Sequence, residues 1–120
     1  MELILYFDGA SRGNPGPAAV GVVLTDKSGT VLMETGEYIG QATNNVAEYR
    51  ALLKGLEEAK SLRAEQLTVY GDSQLVIRQM DGTYRVKHPN LLPLYKQAQS
   101  LTRAFPEVLF IYLPREKHAH

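Results

Sequence analysis

An α/β fold with a mixed five-stranded sheet flanked by helices is predicted by three observations. Short β-rich apolar runs end on turn signals. They alternate with stretches whose apolar residues recur at helical spacing. The order is three strands, one helix, one strand, two helices and a last strand. Strands joined through helical crossovers tend to be parallel, whereas the opening strands, joined by short turns, should be antiparallel.

The first strand is "ELILYFDG", expected to end near Asp8. The turn-rich "ASRGNPGPA" follows. The segment "AAVGVVLTDKSGTVLMETGEYIG" reads as two strands around a turn at residues 26–29. Gly36 and Gly40 loosen the far end of its second strand. Thr43 or Asn44 then caps a helix running to about residue 61. "EQLTVYGDS" is a strand ending at Asp72, and "SQLVIRQMDG" a short helix closed by Gly82. A loop, "TYRVKHP", leads to a helix over roughly residues 90–104, stopped before Pro106. "EVLFIYLP" is the last strand.

The chain has 120 residues, which suits a single domain, 1–120. Thirteen basic residues balance thirteen acidic ones, so polyanion binding must come from local arrangement and should be salt-sensitive. The absence of cysteine excludes disulfides, thiolate zinc sites and cysteine nucleophiles. No apolar run is long enough to span a membrane, and "MELILYFDG" is too short for a signal peptide, so a soluble, cytoplasmic protein is expected; a monomer is the working expectation, on which the sequence itself is silent.

Three carboxylates stand in awkward places. Glu48 shares a helical face with Ala51, Leu52, Gly55, Leu56 and Ala59, a face otherwise fit to pack on a sheet. Asp8 closes the most apolar strand, and Asp72 sits between a strand and a helix. Taken singly, each has a plain structural reading. Glu48 would be a hydrogen-bonded residue at the sheet's rim, Asp8 part of an Asp-Gly turn, and Asp72 a helix cap. Taken together they point elsewhere. If the two aspartate strands are parallel neighbours, their ends emerge on the edge where open α/β sheets place ligands. Three converging carboxylates repel one another, and a divalent cation resolves the conflict. Oxygen-only donors favour magnesium or manganese over zinc.

These residues also carry a pattern. "DGASRGNPGPAAVGVVL", "TNNVAEYRALL" and "YGDSQLV" resemble, in order and spacing, the three motifs of the ribonuclease H family, type 1, across about the first 80 positions. The resemblance implies hydrolysis of the RNA strand of an RNA–DNA hybrid, leaving 5′-phosphate and 3′-hydroxyl ends. It further implies two magnesium ions, for which manganese can substitute, held by four carboxylates. Asp8, Glu48 and Asp72 match three of these, with Asp8 bridging the ions and the other two holding mainly the ion on the leaving-group side. Two ions about 4 Å apart serve both ends of an in-line displacement. The stretch "GASRGNPG" supplies Gly9, Arg12, Gly13 and Asn14 close to the groove of a hybrid, whose 2′-hydroxyls distinguish its RNA strand. Asn44, Asn45 and Gln74 match positions that contact the hybrid, and Thr43 one that seats a DNA phosphate. Capping and turn formation are the alternative roles of these residues.

The pattern departs from the family in three ways. The fourth carboxylate and the closing helix are expected just beyond "LPREKHAH", and the chain stops at His120. Glu116, His118, His120 or the terminal carboxylate could stand in for that ligand. A form lacking it should bind metal but cut slowly, or act as a nucleic-acid-binding module for hybrid or double-stranded RNA. The basic, tryptophan-bearing insertion of many relatives is also missing, leaving Arg85, Lys87 and His88 as the charges in that loop. Finally, His118 does not match a proton-shuttling position.

Overall fold

The computed structural model describes residues 1–114. Their elements follow the expected order: β1 (Glu2–Ser11), β2 (Gly16–Asp26), β3 (Val31–Ala42), α1 (Asn44–Ser61), β4 (Gln66–Gly71), α2 (Gln74–Met80), α3 (Leu92–Thr102) and β5 (Glu107–Tyr112). The strands form one sheet in the order β3-β2-β1-β4-β5. β1 pairs antiparallel with β2, and β2 with β3. β1 pairs parallel with β4, and β4 with β5. The mixed five-stranded expectation therefore holds, because the tight turns reverse the chain and the helical crossovers carry it back.

The alternation of β1 sets the layers. Leu3, Leu5, Phe7 and Gly9 are buried on one face, while Ile4, Tyr6 and Asp8 occupy the other. α1 covers the buried face and packs against β1, β2 and α3. Its stripe of Ala51, Leu52, Gly55, Leu56 and Ala59 is buried, as the helical spacing requires. Gly55 is there because the helix lies hard against the sheet: a β-carbon at that position would come within 2.5 Å of Leu5 Cδ1.

Several boundaries differ from the sequence reading. β1 does not stop near Asp8 but runs to Ser11, because β2 continues to pair with it through Asp8↔Gly21, Gly9↔Val20 and Ser11↔Ala18. Asp8 is thus a strand residue, not part of an Asp-Gly turn. Asp72 does not cap α2. Ser73 does, its hydroxyl oxygen accepting from Val76 N at 3.2 Å. At α1 the cap is Thr43, which accepts from Val46 N at 3.2 Å. α3 is shorter than residues 90–104, because turns flank it: the His88 carbonyl accepts from Leu91 N and Leu92 N before it, and i,i+3 bonds such as Ala104 N to the Leu101 carbonyl close it. The turn at residues 26–29 forms as expected, with Asp26 Oδ1 accepting from Ser28 N and Thr30 N. Gly40, at φ +82°, follows a register shift in the β2–β3 ladder.

One buried polar pair was not foreseen. The Tyr49 hydroxyl, fully buried, donates to Gln79 Oε1 at 2.5 Å and ties α1 to α2. Burial, and after it Tyr95, raises the pKa of this phenol well above its usual value, which keeps the donor protonated.

Candidate metal centre and nucleic-acid interface

The parallel register of β1 and β4 is what aligns the two aspartates. Phe7 pairs with Gly71, so the residues that follow stand level: Asp8, still within β1, and Asp72, just past the end of β4. Glu48 reaches them from the second turn of α1. It does so because α1 meets β1 backbone to backbone at Gly9. A β-carbon on Gly9 would lie 2.2 Å from the Ala47 carbonyl oxygen and 2.5 Å from Glu48 N. With only hydrogen there, the helix closes in, and Gly9 N–H donates to Glu48 Oε1 at 2.9 Å.

Asp8, Glu48 and Asp72 each offer a carboxylate oxygen, and these oxygens all lie within 4.8 Å of one another. Glu48 is 4% exposed, and the two aspartates are half-buried. The pKa of Glu48 is raised from 4.5 to about 8. Burial is the main cause, followed by the charges of Asp72 and Asp8, against the opposing hydrogen bond from Gly9. A site that forces a proton onto a carboxylate at neutral pH is one where a divalent cation can take that proton's place. The donor set is oxygen throughout, which suits a hard ion. The three residues therefore fit the cation that the sequence pattern implies.

The remaining predicted contacts divide into two groups. Arg12, Gly13 and Asn14 occupy the turn between β1 and β2 and are exposed. Thr43, Asn44 and Asn45 stand at the start of α1. Two side chains clasp these segments together. Asn14 Oδ1 accepts from Asn44 N at 2.9 Å, and Asn44 Oδ1 accepts from Ser11 N at 3.3 Å. Each amide oxygen thus serves a protein donor, and the NH2 group of each amide is left to donate. Gln74 opens α2, exposed, two residues beyond Asp72. Gly9 is buried, and its N–H serves Glu48. Glu116, His118 and His120, named above as residues that could stand in for a fourth ligand, lie outside the described residues.

One carboxylate within the central strand β1, one just past the end of its parallel neighbour β4 and one on the helix that covers them, on a sheet ordered β3-β2-β1-β4-β5, define the class of fold and site. Comparison with known proteins identifies the family. Residues 6–119 match the family model described as "Reverse transcriptase-like". The chain is 49% identical over 121 residues to the bifunctional protein Rv2228c of Mycobacterium tuberculosis, covering 100% of this chain and 33% of that protein. The chain thus spans about a third of the length of that curated relative. The solved RNase H domain of the same mycobacterial protein, fused to maltose-binding protein, superposes with a TM-score of 0.94 at 48% identity, covering 97% of this chain and 84% of that one. LC11-RNase H1 in complex with an RNA/DNA hybrid gives 0.92 at 43% identity, covering 98% and 88%. The chain belongs to the ribonuclease H family, type 1.

Proposed function

We propose that this chain is a metal-dependent endoribonuclease that hydrolyses the RNA strand of RNA–DNA hybrids. The observation that carries the reading is the convergence of Asp8, Glu48 and Asp72 within 4.8 Å on a fold shared with a relative solved in complex with such a hybrid. Asp8, Glu48 and Asp72 would hold divalent cations, magnesium by preference and two in number. When bound, such ions supply an activated water and stabilise the leaving oxygen of the phosphodiester.

The chain's own residues position the substrate. The N-terminus of α1 presents the positive end of the helix dipole, a setting that suits a phosphate. Thr43 Oγ1 already accepts from Val46 N, and its hydroxyl hydrogen remains able to donate to a phosphate oxygen. The NH2 groups of Asn14 and Asn44 suit the acceptors that a hybrid displays in its shallow groove, and Asn45 and Gln74 extend this exposed polar rim. With no net charge on the chain, binding rests on these local groups and weakens steeply with salt.

The test is cleavage of an end-labelled hybrid in magnesium and then in manganese, with double-stranded RNA and double-stranded DNA as competitors. RNA-strand products with 5′-phosphate ends, abolished in Asp8→Asn, support the reading. Binding of the hybrid without any cutting in either metal would leave only a binding module.

A further inference from the structure

Outside the carboxylate cluster, one exposed feature of the sheet calls for a ligand. On the face that bears Asp8, the register places Ala10 beside Ala19 and Ala19 beside Tyr38 in one cross-strand row. The neighbouring row on this face is Asp8, Gly21 and Gly36. Strand spacing therefore sets Tyr38 about 12 Å from Asp8 along the sheet, a distance spanned by about three to four stacked nucleotides.

Tyr38 is 67% exposed, unusual for a large aromatic residue. It walls a shallow, mainly apolar recess of about 470 Å³ floored by Ala10, Pro17 and Ala19, with Arg12 at its edge. Arg12 belongs to the same turn as Asn14, so the recess is continuous with the proposed hybrid interface. A phenol ring over a small-residue floor offers a stacking surface, and a guanidinium beside it offers a phosphate partner. Bases inside a duplex are stacked on one another and have no free face to give. Unpaired bases do.

We propose that Tyr38 and Arg12 form a subsite for an unpaired nucleotide, where a single strand runs off the end of the hybrid held at the carboxylates. The base stacks on Tyr38 over the alanine–proline floor, and its phosphate meets Arg12. This inference rests on the hybrid-nuclease reading and adds to it a preference for hybrids with single-stranded flanks.

Binding measured by fluorescence anisotropy in EDTA, where no strand is cut, tests it. The probes are a blunt hybrid, the same hybrid with an RNA or DNA overhang at either end, and the single strand alone. One class of overhang should bind about tenfold more tightly than the blunt hybrid, as expected for one stacked base. Tyr38→Ala should bring that overhang back to the blunt value, while Tyr38→Phe, which keeps the ring, retains the advantage. Arg12→Ala should weaken overhang binding and lower the salt slope by about one. Equal affinity for blunt and overhanging hybrids in the wild type overturns the proposal, as does a full overhang advantage in Tyr38→Ala. If the wild type neither binds nor cuts a blunt hybrid, the hybrid-nuclease reading fails. The single strand then decides the subsite by itself: lost binding in Tyr38→Ala sustains it and unchanged binding ends it.

Discussion

Glu48 Oε1 lies 2.9 Å from the backbone nitrogen of Gly9, and that hydrogen bond exists because Gly9 has no side chain. Helix α1 rests directly on the β1 backbone at this point. The same contact that carries the carboxylate to the two aspartates also seals it from water.

Gly9→Ala tests this contact. The added methyl meets the Ala47 carbonyl at 2.2 Å, and both partners are backbone, so neither can rotate away. The helix must lift. We expect a loss of about 2–3 kcal/mol in urea unfolding, together with reduced cleavage, because Glu48 leaves the cluster. A stable, fully active Gly9→Ala protein would show that α1 can settle elsewhere without cost.

The raised pKa of Glu48 makes a prediction about pH. The group titrates near 4.5 in the unfolded chain and near 8 in the fold. Between these values the folded state binds more protons, so unfolding free energy falls as pH rises. The stabilising contribution is complete below about 4.5 and is lost by about 8. In metal-free buffer the loss across this window should be on the order of a few kcal/mol. Glu48→Gln keeps the oxygen that accepts from Gly9 and cannot ionise. It should be more stable than the wild type at pH 8 and show a flatter profile. Parallel profiles for the two proteins would show that Glu48 is not the titrating group.

Magnesium should act in the opposite sense. It binds the carboxylates only after Glu48 loses its proton, so uptake strengthens from pH 6 to pH 8. At a concentration about 100 times its dissociation constant, it should add about 2.7 kcal/mol to stability. Calorimetry on Asp8→Asn and Asp72→Asn should show this uptake sharply reduced. Heats identical to the wild type would remove the cluster as the metal centre.

Tyr49→Phe separates fold from site. It strips Gln79 Oε1 of a buried donor 2.5 Å away. The cost should be about 1–3 kcal/mol, read as a shift in urea midpoint. A midpoint within error of the wild type would mean that a water molecule replaces the hydroxyl.

Asn14→Ala removes one half of the clasp between the β1–β2 turn and α1. It deletes the acceptor for Asn44 N, a capping interaction worth about 1 kcal/mol. It also removes an NH2 donor from the proposed interface, so KM for the hybrid should rise several-fold while kcat changes less. An unchanged KM would confine Asn14 to capping.

Much of this was legible in the chain. The alternation of "ELILYFDG" and the stripe from Glu48 to Ala59 are local patterns, and local patterns report which face of an element is buried. Glu48 was conspicuous because it broke such a pattern. The end of β1 was misjudged because an Asp-Gly pair signals a turn only when no partner strand continues beyond it, and β2 does. The Tyr49–Gln79 pair was invisible because each residue is unremarkable within its own helix. Tyr38 carries a faint signal, an aromatic residue at an outward strand position, but its neighbours Ala10 and Arg12 lie on β1 and in the turn after it.

Sequence by itself determined the succession of elements, the antiparallel opening and parallel remainder of the sheet, and the identity of the three carboxylates. These follow from periodicity and from residues that interrupt it, and both are properties of short stretches of chain. The tertiary structure alone decided that Asp8 lies within a strand, that Gly9 admits the helix to the sheet, and that burial raises the pKa of Glu48. Each of these depends on how closely two distant segments approach, a distance set by packing.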